Sequence, residues 1–535
     1  MRHRPAPCGR RHLTLAGLAL TALATSAATL GCTAPGGAGG QSPAVAIVPA
    51  PVSLQVGGAG FAIDRSTRIV APAGAPEAAG VAAYLAAVLR PATGYPLPVS
   101  EGDAAACRAG LCLSLRPDDR LGAEGYALDV AADGVRLRAP HPAGLFRGVQ
   151  ALRQLLPARI ERSRPQPGPW AIPGVRIVDY PRFAWRGVSL DVARHFLPVS
   201  DVERFLDLAA LYKVNILHLH LTDDQGWRLA IRSWPRLATY GGSTGVGGGP
   251  GGHYSQEEYA EIVRYARDHY VTVVPEIDLP GHTNAALASY PELTCDGRAP
   301  VLYTGIEVGF SALCVDSEPA ARFLEQVIDE VAALTPGPYL HIGGDEAKSL
   351  GGQRYTGFVE RAQDTVRAHG KRMVGWQEVA RAALAPGSVA QYWDTKSDPS
   401  AVRAAVRQGA QLIMSPASHA YLDMKYRLTT RLGTSWAGYV EVRDAYDWDP
   451  ASLLPGVGEA QVLGVEGALW TESVVSLSDA EYLTLPRLPG LAEIGWSPAR
   501  GRGWDGYRTR LAAQGLRWSA MGATYYRSPQ VPWPA

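Results

Sequence analysis

The sequence has little net charge and few residues of several types. Its 535 residues carry a formal net charge of +1, and they include 6 cysteines, 5 methionines and 8 phenylalanines. Proteins that bind nucleic acid or an anionic membrane by electrostatics carry a clear basic excess, so this balance argues against both partners. Hydrophobic residues make up 47% of the chain, which is normal for a globular protein with a large core. The length predicts more than one domain.

Hydrophobic runs long enough to span a bilayer are absent outside the N-terminus. Residues 1–32 combine a basic start, an apolar stretch of mainly small residues and the ending TLGC, which predicts an export signal. Gly31-Cys32 resembles a bacterial lipoprotein cleavage box, so we expect a lipid on Cys32 and a place on the cell surface. Ordinary cleavage and secretion is the alternative, and Arg10-Arg11 leaves twin-arginine export open. Residues 33–46 are predicted to be a flexible tether.

Four cysteines lie beyond the export signal, namely Cys107, Cys112, Cys295 and Cys314. An even number in an exported protein predicts disulfide bonds. Three pairings are possible, of which the two local pairs, Cys107–Cys112 and Cys295–Cys314, are the simplest. Free buried thiols are the alternative. The spacing does not match a zinc site, so no metal is predicted.

The pattern of the chain changes once after the tether. Residues 47–178 contain a hairpin signal around Asp133-Gly134 and an apolar helical stripe near Leu145, which together predict a small α+β domain. Residues 179–500 instead alternate short apolar runs with amphipathic segments and form the predicted catalytic domain. Residues 501–535 are predicted to be a C-terminal segment that packs on this second domain.

Eight nearly continuous apolar runs define the second domain. They are residues 187–191, 214–221, 271–278, 339–344, 372–376, 388–393, 411–415 and 462–470. Such runs are typical of a parallel sheet that is buried on both faces. Eight of them, separated by helical segments, predict a (β/α)8 TIM barrel, with a doubly wound open sheet as the alternative. Capping boxes predict three helix starts, at Ser200, Ser255 and Ser478, each with a glutamate three residues later.

Acidic, aromatic and basic residues follow nearly every predicted strand. They include Asp191, Arg194, Asp223, Asp224, Glu276, Asp278, His282, Asp345, Glu346, Trp376, Trp393, Tyr421, Asp423, Trp436, Trp470 and Glu472. The active site of a TIM barrel lies at the C-terminal ends of its strands, so these side chains should converge. Aromatic faces suit the C–H face of a sugar ring, while carboxylates and arginine bind hydroxyl groups. The convergence therefore indicates a carbohydrate site.

Two other features of the barrel domain are predicted to be structural. His218 and His220 alternate with leucine inside the second strand, so we expect them in the barrel interior. The glycine-rich segment 241–252 lacks the Lys-Ser/Thr ending and the strand-to-helix setting of a phosphate-binding loop. It is therefore predicted to be a mobile loop.

Several long motifs resemble glycoside hydrolase family 20. They are residues 191–237, PEIDLPGH (275–282), HIGGDEA (341–347), GWQE (375–378), YLD (421–423) and GALWTE (467–472). The resemblance covers roughly residues 47–500. It implies a retaining exo-β-N-acetylhexosaminidase that needs no cofactor and releases terminal GlcNAc or GalNAc from chitin oligosaccharides or other glycans.

The resemblance also implies the catalytic residues. This family uses the 2-acetamido group of the substrate as the nucleophile. Glu346 matches the general acid/base, and we expect the like charge of Asp345 to raise its pKa. Asp345 and Tyr421 match the residues that hold the two ends of the acetamide.

Further positions match the substrate-binding residues of the family. Those implied for substrate binding are Arg194, Asp223, His282, Trp376, Trp393, Asp423, Trp436, Trp470 and Glu472. Asp278 matches a residue that contacts this set from behind without binding the substrate itself. Trp376, Trp393 and Trp470 match pocket walls, and Trp436 is placed to stack on the next sugar. Asp223, Asp278 and His282 match a network that tunes Glu346. The family pattern also supports a Cys295–Cys314 disulfide. Lys348, just after HIGGDEA, is expected to be a solvated loop residue, with an effect on the local electrostatics as the alternative.

Two other functions compete with this interpretation. A lacto-N-biosidase-like enzyme would release a disaccharide, but it needs a larger pocket than the residues matched here imply. A catalytically inactive, carbohydrate-binding surface lipoprotein would be expected to have lost Asp345, Glu346 or Tyr421, and all three are present.

Overall fold

The computed structural model describes residues 45–103 and 107–534. The predicted export signal, Cys32 and most of the predicted tether lie outside these residues. Within them, none of the helices is long and apolar enough to cross a membrane.

The first part of the structure is a mixed sheet with two helices. Its strands are β1 (Ser53–Val56), β2 (Phe61–Ile63), β3 (Ile69–Ala71), β4 (Val99–Glu101), β5 (Leu111–Leu115), β6 (Tyr126–Ala131), β7 (Gly134–Ala139), β8 (Trp170–Ile172) and β9 (Val175–Asp179). Seven strands pair in the order β1-β9-β6-β7-β5-β3-β4, while β2 pairs with β8. The predicted hairpin is confirmed, since β6 and β7 are antiparallel with Ala131 opposite Gly134. Helices α1 (Pro76–Thr93) and α2 (Pro142–Leu155) pack on this sheet.

The second part is a closed parallel barrel. Its strands are β10 (Trp185–Asp191), β11 (Ile216–His220), β14 (Thr272–Glu276), β15 (Tyr339–His341), β16 (Arg372–Trp376), β17 (Val389–Tyr392), β18 (Gln411–Met414) and β19 (Val462–Leu469). Each corresponds to one predicted apolar run, so the TIM barrel is confirmed and the open-sheet alternative is wrong. A small hairpin, β12 (Thr222–Asp223) and β13 (Gly226–Trp227), follows the second barrel strand.

Helices surround the barrel, and the last of them ends at Met521. They are α3 (Val199–Leu211), α4 (Gln256–Asp268), α5 (Asn284–Ser289), α6 (Glu318–Leu334), α7 (Gly352–Ala368), α8 (Ser400–Arg407), α9 (Ala417–Ala420), α10 (Val442–Tyr446), α11 (Leu477–Thr484), α12 (Arg487–Trp496) and α13 (Trp504–Met521). In α13, Trp518 donates to the hydroxyl of Tyr212 beside the barrel, and Arg517 pairs with Glu161 in the first part of the structure.

Only one of the three predicted capping boxes is present. Ser255 caps α4 reciprocally with Glu258. The other two predictions are wrong because the helices begin earlier than expected. Pro198 precedes α3, which places Ser200 inside the helix. Ser476, not Ser478, caps α11 by accepting from the backbone N–H of Asp479.

Buried polar groups join the two parts of the structure. The carboxylate of Asp179, at the end of β9, accepts from Lys213 Nζ at 2.8 Å, the Tyr126 hydroxyl at 2.7 Å and Trp496 Nε1 at 2.8 Å. The side chains of Asp179 and Lys213 are fully buried. Each charge is therefore compensated, as burial of an ion pair requires.

Two loops at the barrel rim are held by specific bonds. The structure contains both predicted local disulfides. Cys107–Cys112 lies in the first part of the structure, at β5, and Cys295–Cys314 closes a loop of the barrel rim. The glycine-rich segment 241–252, predicted to be mobile, is instead fixed by the buried guanidinium of Arg228. That group donates to the carbonyls of Gly242, Thr244 and Gly252. Glycine is needed where this backbone approaches Arg194, because a β-carbon on Gly245 would lie 2.7 Å from the Arg194 carbonyl oxygen.

Candidate active site

The two adjacent acids lie on a tight turn after β15. Gly343 and Gly344 adopt positive φ angles of 68° and 97°, which side-chain-bearing residues rarely tolerate. A β-carbon on Gly343 would also overlap the carboxylate of Asp278. The backbone N–H of Gly344 donates to that carboxylate at 3.2 Å. Asp278 thus fixes the turn that presents Asp345 and Glu346.

One imidazole faces both of the adjacent carboxylates. His282 Nε2 lies 3.4 Å from Asp345 Oδ2 and 3.6 Å from Glu346 Oε2. Glu346 is a non-glycine residue with φ of +46°, and its other oxygen, Oε1, accepts from Lys348 Nζ at 3.1 Å. The left-handed backbone at Glu346 turns its side chain towards these partners.

The expected rise in the pKa of Glu346 is wrong for the ligand-free protein. Burial disfavours its charged form, but His282 and Lys348 outweigh burial and lower the pKa. The negative charge of Asp345 instead affects the pKa of a different carboxyl group. Burial and Asp345 together raise the pKa of Asp278 well above its usual value. The adjacent acid therefore raises the pKa of the carboxyl behind the turn, whereas the pKa of its sequence neighbour is lowered.

A chain of charged hydrogen bonds runs from His282 into the barrel. His282 Nδ1 contacts Asp223 Oδ1 at 3.1 Å, and Asp223 Oδ2 contacts His220 Nε2 at 2.8 Å. Burial opposes ionisation of Asp223, but Arg194 and His282 lower its pKa well below the usual value. Burial also opposes protonation of His282, but Asp223 and Asp345 raise the pKa of this imidazole well above normal. His282 is therefore a cation that faces the two acids.

His218 and His220, which were predicted to lie in the barrel interior, do lie there, below the chain of hydrogen bonds. His220 Nδ1 is 2.5 Å from Glu276 Oε2, and His218 Nε2 is 3.0 Å from the same oxygen. The other oxygen of Glu276 accepts from Trp376 Nε1 at 2.7 Å. All of these side chains are buried. A carboxylate at the end of β14 thus supports the residues beneath the site.

Aromatic rings form one side of the cavity. Trp393 stacks on Tyr421 with ring centroids 6.2 Å apart and an interplanar angle of 15°. Trp436 meets both rings edge-on, at 6.0 Å and 5.7 Å. Trp470 lies 6.0 Å from Tyr421. Trp376 is fully buried behind Trp470, with ring centroids 5.6 Å apart. It therefore supports the aromatic wall but does not line the cavity.

Three buried carboxylate oxygens have no partner among the described residues; Asp345 and Glu472 line the cavity, and Asp423 lies beside it, against Thr434. Asp345 Oδ1, Asp423 Oδ1 and Glu472 Oε2 are buried and make no hydrogen bond to any described residue. Buried polar atoms are nearly always paired, so these three acceptors indicate a ligand that supplies donors. Burial and Glu472 raise the pKa of Asp423 well above normal, and burial also raises the pKa of Glu472. Arg194 lies nearby, 4.9 Å from the centre of the Trp470 ring.

Most of the predicted site residues line one cavity. It has a volume of about 240 Å³ and is lined by Arg194, Asp223, Asp278, His282, Ile306, Val308, Asp345, Glu346, Trp393, Tyr421, Thr434, Trp436, Trp470 and Glu472. Ile306, Val308 and Thr434 were not predicted from the sequence, whereas the predicted Trp376 and Asp423 do not line the cavity. The exposed apolar residues of the segment VLYTGIEVGF (301–310) were the available signal for the first two, since a solvated loop rarely carries so many.

Glu378 is a further residue that the sequence analysis did not assign. It follows β16 in the motif GWQE, where it accepts from Trp393 Nε1 at 3.1 Å. Burial and the neighbouring Asp345 raise the pKa of Glu378 to about 7. The Glu378 carboxyl therefore accepts from the indole of Trp393 and stays protonated to a higher pH than an ordinary glutamate does.

Among the residues that the structure describes, four groups of three histidine or acidic side chains have ligand atoms close enough to bind a metal ion. They are His218–Glu276–His341, His220–Glu276–Asp278, Asp223–Asp278–His282 and His282–Asp345–Glu346. In each group an imidazole already lies beside a carboxylate. For example, His341 Nδ1 is 3.1 Å from Glu276 Oε1. Pairing of opposite charges accounts for the clustering, so we assign no ion to them.

Family models match both parts of the chain. Residues 183–499 match the model described as "Glycosyl hydrolase family 20, catalytic domain", and residues 44–180 match "Glycosyl hydrolase family 20, domain 2". A β-N-acetylhexosaminidase of Cellulomonas fimi is 45% identical over 495 residues, which cover 92% of this chain and 98% of the relative.

Solved structures resemble the whole described fold. The family 20 β-N-acetylhexosaminidase of Streptomyces coelicolor A3(2) superposes with a TM-score of 0.90 at 54% identity, covering 92% of this chain and 99% of that one. The N-acetyl-β-hexosaminidase of Streptomyces plicatus, solved in complex with Thio-NAglucal, gives 0.89 at 55% identity, covering 92% and 98%.

Proposed function

The chain belongs to glycosyl hydrolase family 20, and from this premise we propose that Asp345, Glu346 and Tyr421 are the residues that carry its catalysis. The protein is a glycoside hydrolase, a β-N-acetylhexosaminidase, and it acts through the 2-acetamido group of its substrate. The observation that carries the residue assignment is the shared contact of His282 with two acids of unlike surroundings.

Asp345 and Tyr421 orient the nucleophile in this proposal. The free oxygen of Asp345 is buried and accepts the acetamide N–H, while the Tyr421 hydroxyl donates to the acetamide carbonyl. Trp393 stacks beside Tyr421 and confines the acetamide. Fixing the carbonyl oxygen below the anomeric carbon makes its attack intramolecular, which contributes several orders of magnitude in effective concentration.

Glu346 moves the proton. In the ligand-free protein it pairs with Lys348 and faces His282, so its pKa is low. A bound sugar excludes water from the cavity and disfavours the charged form, which promotes the protonated acid that the reaction needs. Glu346 then gives its proton to the leaving oxygen while the acetamide oxygen bonds to the anomeric carbon.

The second step restores the enzyme. The first step leaves an oxazolinium-like ring, and the carboxylate of Asp345 stabilises its positive charge. Glu346, now ionised, takes a proton from the attacking water. The water opens the ring at the anomeric carbon and frees the acetamide. Two displacements at one carbon give overall retention.

The cavity favours a single terminal sugar. Its volume of about 240 Å³ lies below the ~300–1,000 Å³ that is typical of pockets for larger ligands. Arg194, Asp423 and Glu472 supply hydrogen-bonding groups for the outer hydroxyls. This size does not favour the release of a disaccharide. Trp436, whose surface is 54% exposed at the mouth, is placed to stack on the next sugar.

A Glu346→Gln variant tests the assignment. We expect turnover of chitobiose to fall by roughly two to four orders of magnitude, the usual range for loss of a general acid. An aryl β-GlcNAc with an acidic phenol as leaving group should lose less in the first step, because it departs without protonation. Glu318→Gln, on an exposed glutamate at the start of α6, is the matched control. Equal, small losses on both substrates would remove Glu346 from the role.

We also propose that the protein is exported and anchored by a lipid on Cys32. The support is the basic start, the apolar stretch and Gly31-Cys32 in the sequence. Intact-mass spectrometry of the mature protein should show a diacylglycerol on an N-terminal Cys32, and a Cys32→Ala variant should lack it. A mature N-terminus without lipid in the native protein would contradict the proposal.

A further inference from the structure

Lys348 stands between the catalytic acid and the barrel rim. Its ammonium donates to Glu346 Oε1 at 3.1 Å, while 64% of its side chain remains exposed. The stem of the side chain lies along the rim loop, since a β-carbon on Gly309 would come within 2.8 Å of Lys348 Cδ. Ile306 and Val308 of the same loop line the cavity. Lys348 is therefore at the mouth, on the side where the leaving sugar departs.

The charges around Lys348 make its position distinctive. Several of the residues that line the cavity are acids, namely Asp223, Asp278, Asp345, Glu346 and Glu472. The cations that line it, Arg194 and His282, are buried and both contact Asp223. Lys348 instead presents a charged group to solvent beside the mouth. A cation in that place attracts an anionic substituent of an incoming substrate.

We propose that Lys348 is a specificity-determining residue that binds a carboxylate on the leaving sugar. This inference rests on the proposed function, because it requires Glu346 to protonate the leaving oxygen. Once Glu346 carries its proton, the ammonium loses its anionic partner while it remains beside the bond to be cleaved. A carboxylate on the leaving sugar replaces that partner. The substrates favoured are β-N-acetylhexosaminides linked to a uronic acid or to an amino sugar that bears a lactyl ether.

The same contact affects the acidity of Glu346. The charged groups that face Glu346 are His282 from the loop after β14, Lys348 from its own loop and the adjacent Asp345. Burial opposes ionisation, while His282 and then Lys348 lower the pKa of Glu346. Removal of the ammonium should therefore raise this pKa. The basic limb of kcat/KM, above which the acid has lost its proton, then moves to higher pH.

Three disaccharides test the specificity. Chitobiose is neutral, GlcNAc-β-1,4-GlcA carries a uronic acid, and GlcNAc-β-1,4-MurNAc carries a lactyl ether. In Lys348→Met, the ratio of kcat/KM for an acidic disaccharide to that for chitobiose should fall by about threefold or more, the scale of a partly exposed ion pair. Lys348→Arg should keep the ratio. Lys396→Met, on an exposed lysine after β17, is the matched control. High salt should weaken the wild-type preference.

The outcomes separate the two proposals. If the wild-type protein cleaves chitobiose but Lys348→Met changes neither the ratio nor the pH profile, the inference about Lys348 is wrong and the proposed function stands. If the wild-type protein cleaves none of the disaccharides and no aryl β-GlcNAc, the proposed function fails first. A change confined to one acidic disaccharide would support the inference and identify which carboxylate the site recognises.

Discussion

Among single residues, His282 has the central place because its cation faces both of the adjacent acids. Its Nε2 lies within 3.6 Å of both carboxylates, yet Asp345 keeps a buried oxygen with no partner while Glu346 also contacts Lys348. Asp345 is thereby suited to an amide N–H, and Glu346 to proton exchange at the mouth. In the function that we propose, adjacency in the sequence lets the two acids contact two neighbouring groups of one sugar.

The position of these acids side by side at the cavity could be predicted from the motif, but their acidity could not. The motif HIGGDEA places two like charges together, which predicts a raised pKa at Glu346. The structure shows that His282, already matched to a network around Glu346, lowers this pKa together with Lys348, which lies across a left-handed turn. Glu378 was missed for a similar reason, because its contact with Trp393 depends on how two separate loops pack.

Glu378 should make the stability of the protein depend on pH. Its pKa of about 7 lies above its ordinary value of 4.5, so the folded state holds this proton more tightly than the unfolded chain does. The contribution is present below pH 4.5 and is lost as pH rises through about 7. The loss is at most about 3 kcal/mol. Glu378→Gln keeps an acceptor for Trp393 and should flatten this fall in the free energy of unfolding.

Chemical denaturation at several pH values measures the effect. Between about pH 5 and pH 8, the difference in unfolding free energy between wild type and Glu378→Gln should move in favour of the variant. The exposed Glu318→Gln is the control and should follow the wild-type curve. Parallel curves for wild type and Glu378→Gln would show that Glu378 is ionised over this range.

At the scale of elements, the barrel strands were predictable and the helix starts were less so. Each of the eight apolar runs is buried on both faces in the closed barrel, so a continuous apolar pattern was a sufficient signal. A capping box needs one serine at one boundary. Pro198 moves the start of α3 ahead of Ser200, and Ser476 competes successfully with Ser478 at α11. Short motifs therefore matched in the wrong register.

Ser255 gives a direct test of the predicted capping box that is present. Its hydroxyl accepts from the backbone N–H of Glu258, and the Glu258 side chain accepts from the backbone N–H of Ser255. Ser255→Ala should lower the free energy of unfolding by about 1 kcal/mol. Ser200→Ala, inside α3, should change it by less than about 0.5 kcal/mol. Equal effects in thermal unfolding would contradict this distinction.

At the scale of the whole molecule, the junction around Asp179 connects the sheet to the barrel. Its partners, Tyr126, Lys213 and Trp496, are far apart in the sequence. No local pattern predicts such a group, since each residue is an ordinary polar or aromatic residue within its own segment. The two parts of the fold could be predicted, but the contacts that join them could not.

Lys213→Met should therefore destabilise the protein strongly. It removes the cation beside Asp179 and leaves a carboxylate that is fully buried, at a cost of about 3–5 kcal/mol. Arg176→Met is the matched control, because its pair with Asp129 is mostly exposed and should contribute less than about 1 kcal/mol. Similar shifts in the thermal midpoints of the two variants would show that the junction does not depend on this ion pair.

The central claim is that the substrate supplies the nucleophile. The most direct measurement is kcat/KM for aryl glycosides of one amino sugar whose N-acetyl group carries zero, one, two or three fluorines. Each fluorine withdraws electrons from the carbonyl oxygen that should attack the anomeric carbon, while the leaving group stays the same. We predict that kcat/KM falls at every step of the series. A value that is independent of fluorine content would contradict the account and would require a nucleophile from the protein.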